Sequence, residues 1–325
     1  MPENDLVGSG GAAAAATTRS LRAVIARVPF WSSASDIKTS PLAGGITNQN
    51  YRIETGGESF VVRIVGEKTD LLGIDRENEY CANKAAGEIG IAPEVVYFIR
   101  PEGYLVTRFI HGREIPLVEM RRPEMINQVA AVLRRIHSIP PILGTFDVFR
   151  MVEAYTETAR SFKVTFPPIF GWLMERVRTA EAALRFEPYI PRTCHNDFLN
   201  ANFLFDGHIR ILDWEYAGMG DIFFDLANFS VNHEFSDEQD RILLTSYFAE
   251  WEIPGDITPQ RWARLKVMRI MSDCREAMWS MVQIGISNLD FDFRAYADKH
   301  FNRMAHNMQS PAWGQWLEDL SINNM

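Results

Sequence analysis

The chain has 325 residues, 46% hydrophobic and 23% charged, a globular composition long enough for two domains or one two-lobed unit with a large core. Its 33 Lys and Arg against 42 Asp and Glu leave a net charge of −9. That balance argues against nucleic acid or an anionic membrane as the main partner, while leaving room for a local basic pocket around one anionic cofactor.

The three cysteines, Cys81, Cys194 and Cys274, are far apart and form no C-x-x-C pair, so neither a disulfide framework nor a zinc site is expected. A reducing, cytoplasmic compartment fits this usage. No apolar run approaches the roughly 20 residues of a membrane span, so no integral membrane association is expected. Residues 1–18, rich in Gly, Ala, Ser and Thr without a Lys or Arg, read as a flexible tail rather than a signal peptide.

From Leu21 to Phe30, Leu21, Val24, Ile25 and Val28 recur at helical spacing. A β-rich region follows. The segment from Leu42 through the Gly44-Gly45 pair to Ile53 leads into a strand, Gly56-Gly57 marks a tight turn, and Ser59–Val65 is the β-branched returning strand. Glu77–Ile89 has helical composition and stops at Gly90; Ile91–Phe98 and Gly103–Ile110 read as two further strands. After His111-Gly112 the pattern becomes helical, over Pro123–His137, Tyr155–Arg160, Phe170–Phe186, Pro259–Ser287 and Phe291–Met308. The expected fold is α+β and two-lobed. A small antiparallel-sheet lobe with one inserted helix spans 19–108, a mainly helical lobe spans 109–325, and a hinge lies near Thr107–Arg113.

The stretch Cys194-His-Asn-Asp-Phe-Leu-Asn-Ala-Asn202 precedes two apolar runs separated by Asp206-Gly207, a hairpin signal. A two-residue turn would pair Phe205 with His208 and Asn202 with Ile211. Asn202 and Asp213 would then be diagonal neighbours on one face, about 7–8 Å apart. An amide oxygen and a carboxylate so placed suit Mg²⁺ at a nucleotide. The spacing His195-x-Asp197-x-x-x-x-Asn202 reproduces the catalytic loop of kinases, where the Asp faces the attacking hydroxyl and the Asn a metal. Asp197, Asn202 and Asp213 are therefore the catalytic candidates. Any one alone reads as a turn former; the spacing and the hairpin together favour catalysis. His195 is expected to be structural, and Cys194 a small buried hydrophobe.

His195-Asn-Asp-x-x-x-x-Asn202 and Ile211-Leu-Asp-Trp-Glu-Tyr-Ala217, followed by Asp225-Leu-Ala-Asn228, resemble the motifs of choline/ethanolamine kinases, within the aminoglycoside-phosphotransferase group of the protein-kinase-like fold. The resemblance runs from about Gly44 to about Met308. It implies transfer of the γ-phosphate of ATP, with Mg²⁺, to the hydroxyl of a small cationic amino alcohol. By the same resemblance Gly44, Gly45, Thr47, Asn48 and Asn50 form the nucleotide loop. Arg63 contacts phosphates and pairs with Glu79, Thr107 and Phe109 belong to the adenine hinge, and Asp225 braces the catalytic loop.

For the acceptor, Trp279 and Tyr296 match two walls of the family's aromatic cage, which recognises a quaternary ammonium. Glu215 is a further candidate for ordering metal or substrate. Two positions depart from the pattern: Glu276 stands where eukaryotic choline kinases carry another Trp, and Asn232 stands where an acidic residue is expected, with Glu234 close by. These departures leave open choline, ethanolamine, or a rearranged cage with charge from Glu276 or Glu234. Other acceptors (an aminoglycoside, thiamine, a sugar or an amino acid) and a catalytically silent binding module are the alternatives. The oligomeric state is open, a homodimer included.

Overall fold

The computed structural model describes residues 21–32, 34–42, 48–186, 188–249 and 256–321. The expected tail over 1–18 and the loop candidates Gly44, Gly45 and Thr47 lie outside the described residues. The chain divides into two units: one runs to Glu67 and resumes over Val95–Phe109, and the other comprises Lys68–Glu94 and the chain from Ile110 onward.

The first unit holds a helical segment, α1 (residues 21–25), and five antiparallel strands. These are β1 (Lys38–Leu42), β2 (Asn48–Thr55), β3 (Glu58–Val65), β4 (Val95–Ile99) and β5 (Tyr104–Arg108), in the order β1-β2-β3-β5-β4. Gly56 and Gly57, at φ 58° and 78°, make the expected β2–β3 turn, a backbone that L side chains resist. Alternation along β3 sends Phe60, Val62 and Ile64 into a core with Leu21, Val24, Val28, Trp31, Ile53 and Val106. The strand expected from Ile91 begins only at Val95, after Pro93, which has no N–H to donate to a ladder.

Register places the polar candidates together. Asn50 lies opposite Arg63, Arg63 opposite Leu105, Asn48 opposite Val65, and Thr107 opposite Val61. All of these positions alternate with the core-facing residues. Asn48, Asn50, Arg63 and Thr107 therefore share the sheet face opposite the core.

The second unit carries α2 (Arg76–Glu88), β6 (Arg113–Glu114), α3 (Leu117–Met120), α4 (Pro123–Ile136), α5 (Val148–Ser161), α6 (Phe170–Leu184) and β7 (Arg192–Cys194). Then come β8 (Phe203–Phe205), β9 (Ile209–Ile211), β10 (Gly218–Gly220), α7 (Ile222–Asn232), α8 (Asp237–Phe248), α9 (Pro259–Ile286), α10 (Phe293–Gln309) and α11 (Ala312–Ser321). The helix expected in the sheet lobe, α2, packs Ala82 and Ala86 into this unit's core, and Asn83 Nδ2 donates to Pro93 O at 2.9 Å. Thr258 caps α9 and Pro259 occupies its first turn, where a missing N–H costs nothing. α9 is buried on nearly every side, with α5, α7, α10 and α11 packed around it. Its interior therefore includes Asp273, Arg275 and Glu276, and each must find polar partners there. No helix among the described residues is long and apolar enough to cross a membrane.

Candidate active site

The loop that follows β7 is held from behind by α7. Asp221 caps α7, and one turn in, Asp225 is wholly buried. Its Oδ1 accepts from Asn196 N at 2.7 Å, and its Oδ2 accepts from His195 N at 2.9 Å and His137 Nε2 at 3.1 Å. Asn228 Oδ1 accepts from Phe198 N at 2.5 Å, while its amide donates to Ser272 on α9 at 2.9 Å. Asn196 sits at φ 65°, a left-handed conformation that Asn tolerates better than most residues. One helix face thus satisfies three backbone donors of the loop, those of His195, Asn196 and Phe198, which a buried loop requires.

His195 is locked by its neighbours. Its Nε2 lies 2.9 Å from Leu212 O, a group that can only accept, so Nε2 carries the proton. Nδ1 then accepts from Asp197 N at 3.1 Å. Burial pushes the imidazole down to about 4, against the pull of Asp225. A neutral, fully hydrogen-bonded ring, edge-on to Trp214 with centroids 4.8 Å apart, shapes the loop. Cys194 is fully buried, and burial raises its thiol well above the ordinary value. His137, Cys194 and Asp225 bring possible ligand atoms within 4.8 Å of one another. The bonds just described already engage the Asp225 oxygens, so this group serves as a brace.

Asp197 is buried yet doubly bonded. Its Oδ1 accepts from Arg275 Nη2 at 2.9 Å, and its Oδ2 accepts from Asn202 Nδ2 at 3.1 Å. Burial, with Glu276 and Glu215 adding to it and Arg275 opposing it, pushes the carboxyl up to about 6. A carboxylate poised near 6 is ionised at neutral pH yet basic enough to take a proton. The Asn202 amide also donates to Asp197 O at 2.8 Å, so its Oδ1 is the atom left for a cation.

The hairpin differs by one residue from the expected register. Phe203 pairs with Ile211, Leu204 with Arg210 and Phe205 with Ile209. The turn is therefore Asp206-Gly207-His208, with Gly207 at φ 104° and the His208 N–H on Asp206 Oδ1 at 3.2 Å. Asn202 meets Leu212 rather than Ile211, through Leu212 N to Asn202 O at 2.8 Å. Asp213 comes next and turns away from the strand at φ 64°. Asn202 and Asp213 thus remain neighbours across the end of the hairpin, by a turn rather than by the diagonal of a regular ladder. Asn202 Oδ1 and the Asp213 carboxylate are the oxygens there that could hold a hard divalent cation.

Arg275 was missed from the sequence. It is 2% exposed, bonds Asn196 O at 2.8 Å as well as Asp197, and lies 3.0 Å from Glu276. Burial acts to lower its pKa, but Glu276 and Asp197 raise it beyond the ordinary arginine value. The available signal was three charged residues, Asp273, Arg275 and Glu276, inside the otherwise uncharged stretch Ile270–Ile286 of this helix.

Of the acceptor candidates, Glu276, Trp279 and Tyr296 come together. Tyr296 OH donates to Glu276 Oε2 at 2.8 Å, and the Trp279 and Tyr296 rings meet edge-on at 6.2 Å. Phe293 packs 5.9 Å from Trp279, and Phe291 5.9 Å from Tyr296. Glu215 is buried and pairs with Arg76 at 3.1 Å; Arg76 also pairs with Glu79 at 2.6 Å. Glu234 instead has a side chain 58% exposed that pairs with Arg121 at 2.5 Å. Asn232 ends α7 with its Nδ2 buried and without a hydrogen-bond acceptor. In the sheet unit, Phe109 carries the Arg52 guanidinium over its ring at 4.4 Å.

A family model described as the phosphotransferase enzyme family, APH, matches residues 38–266. Human ethanolamine kinase 2 is 27% identical over 309 residues, covering 85% of this chain and 77% of that protein. The crystal structure of a choline/ethanolamine kinase family protein from Mesorhizobium loti superimposes with a TM-score of 0.79 at 29% identity, covering 94% of this chain and 99% of the other. Choline kinase LicA from Streptococcus pneumoniae has the same fold, with a TM-score of 0.75 at 21% identity, covering 90% of this chain and 99% of the other.

Proposed function

The chain belongs to the phosphotransferase enzyme family, and we propose that within it the protein transfers the γ-phosphate of ATP to the hydroxyl of a small amino alcohol, choline or ethanolamine. The observation that carries this reading is the pairing of Asp197 with Arg275, and of Arg275 with Glu276, which joins a proton-accepting carboxylate to an aromatic and acidic cluster fit for a cation. The names of the similar proteins, which refer to ethanolamine and choline, support the same acceptor class.

In this reading Asp197 receives the hydroxyl of the acceptor. Arg275 and the Asn202 amide fix the two carboxylate oxygens, so the hydroxyl meets a base that is already oriented. Ionised at neutral pH, Asp197 takes the hydroxyl proton as the oxygen attacks the γ-phosphorus and the bond to the bridging oxygen, which leaves with ADP, breaks. Asn202 Oδ1 and Asp213 would hold Mg²⁺, which, when bound, neutralises phosphate charge. Asn48, Asn50, Arg63 and Thr107, on one face of the sheet, and Phe109, just past the end of β5, would hold the nucleotide, with Arg63 meeting phosphate oxygens. Glu215, through Arg76 and Glu79, would keep the acidic side of the catalytic unit in place. Free thiols at Cys81, Cys194 and Cys274 agree with a cytoplasmic setting in which ATP is the donor.

A panel of hydroxyl acceptors with Mg²⁺ and ATP, read by ADP release, tests the proposal. Choline or ethanolamine should stand well above aminoglycosides, thiamine, sugars and amino acids. Preference for one of those others, or tight nucleotide binding without turnover of any acceptor, would replace this reading.

A further inference from the structure

We infer that Glu276 is a specificity-determining residue that makes this site favour an acceptor ammonium carrying N–H over a fully methylated one. The inference rests on the amino-alcohol reading and deepens it.

Glu276 is 3% exposed and stands one helical turn before Trp279 on α9. Residues three apart on a helix are neighbours on its surface, so the carboxylate and the indole line the same patch. One carboxylate oxygen, Oε2, accepts from Tyr296 OH at 2.8 Å. The other, Oε1, is buried and has no hydrogen-bond donor. It lies 3.0 Å from Arg275 Nη2, close enough for charge attraction. That nitrogen, however, directs its hydrogen bonds to Asn196 O and Asp197 Oδ1. A buried carboxylate oxygen without a donor is an unmet demand for an N–H or O–H.

The surroundings suggest which donor would meet it. Trp279, Tyr296, Phe291 and Phe293 supply aromatic surface next to Glu276. Asp197 and Glu276 face the same guanidinium nitrogen, so the two carboxylates are close neighbours. An amino alcohol has its hydroxyl and its nitrogen two carbons apart. With the hydroxyl on Asp197, the ammonium reaches Glu276. A primary ammonium can then donate to Oε1 in a charge-assisted hydrogen bond. A trimethylammonium has no N–H; it can use only the aromatic faces and holds the carboxylate off with its methyl groups. A site built to hydrogen-bond a substrate group discriminates against the analogue that lacks it, because its own polar atom stays unpaired.

The test is a methylation series with purified full-length protein, Mg²⁺ and ATP: ethanolamine, N-methylethanolamine, N,N-dimethylethanolamine and choline, read as kcat/KM with the phosphorylated products identified by mass. The expected order falls along the series. The largest step, roughly 100-fold, comes at the last methyl, where the final N–H disappears. Glu276→Gln should lower kcat/KM for ethanolamine and compress the ethanolamine-to-choline ratio by about tenfold or more, leaving the KM for ATP unchanged. Should the variant fail to fold, the series on the unaltered protein still decides. Choline turned over as well as ethanolamine, or a ratio unmoved in a folded Glu276→Gln protein, overturns this inference and leaves amino-alcohol phosphotransfer standing. ATP binding with no member of the series phosphorylated overturns the amino-alcohol reading, and this inference with it.

Discussion

Replacing Arg275 with methionine removes a side chain that touches both Asp197 and Glu276. In the intact protein the guanidinium bonds Asp197 Oδ1 at 2.9 Å and Asn196 O at 2.8 Å, and lies 3.0 Å from Glu276 Oε1. Methionine fills a similar volume, so it keeps most of the packing on the Tyr216 ring, whose centroid lies 5.1 Å from the Arg275 guanidinium. Two buried carboxylates then lose their counter-charge. Removing one partner of a buried ion pair costs about 3–5 kcal/mol. For a chain of this size that lowers the thermal midpoint by roughly 4–7 °C. The same loss acts on the proton affinity of Asp197. Arg275 opposes the burial that lifts this carboxyl to about 6, so its removal lifts the value further. Each additional pKa unit cuts the ionised fraction tenfold on the acid side. The assay is a pH profile of kcat/KM by ADP release, paired with thermal melts. Arg275→Met should move the acid limb toward higher pH, and raising the pH should partly restore its rate. Arg275→Lys keeps the charge but on a shorter, more flexible side chain without the planar guanidinium, and should fall between. A folded Arg275→Met protein with the original pH profile and melting temperature would show that Arg275 neither holds down the Asp197 pKa nor stabilises the fold.

Further outcomes follow from the same contacts. In the unaltered protein, kcat/KM should decline below about pH 6, tenfold per pH unit, because Asp197 must be ionised to take the hydroxyl proton. The linkage to stability has the opposite sense: the native state binds this proton more tightly than the unfolded chain. Its stabilising share is complete below the ordinary carboxyl value of 3.8 and is lost as pH rises through about 6, so melts at pH 8 should find Asp197→Asn at least as stable as the parent. Asp225→Ala strands the N–H groups of His195 and Asn196, and should cost about 3–5 kcal/mol in denaturant melts and lower kcat, with a far smaller effect on the KM for ATP. Trp279→Ala should raise the KM for the acceptor by about tenfold and leave that for ATP unchanged; equal effects on both would remove Trp279 from the acceptor site.

The elements legible in the sequence were those with a clear period or a sharp punctuation mark. Strand β3 alternates cleanly, Gly56-Gly57 marks its turn, and the amphipathic α4 begins at Pro123 as read. Strand β1 was missed because it is largely exposed and carries Pro41, so it shows no alternation. Helix α7 was missed for the opposite reason: Ile222–Asn232 is buried nearly all round and gives no polar stripe. The hairpin register slipped by one because Asp206-Gly207 looks like a complete two-residue turn, whereas His208 also belongs to the loop. The same contrast holds at the candidate site. Asp197 and Asn202 are five positions apart in sequence and bond one another directly, so spacing alone could find them. Arg275 reaches Asp197 across 78 positions, through the packing of α9 against the loop, and no local pattern records that.

The most direct measurement of the central claim is phosphorus NMR of the purified protein and its Asp197→Asn variant, each with Mg²⁺, ATP and ethanolamine. The account predicts a new phosphomonoester signal growing in step with ADP for the unaltered protein. For the variant it predicts a signal reduced by about 10²-fold or more at unchanged ATP affinity. A variant that forms the phosphomonoester at the original rate would contradict it.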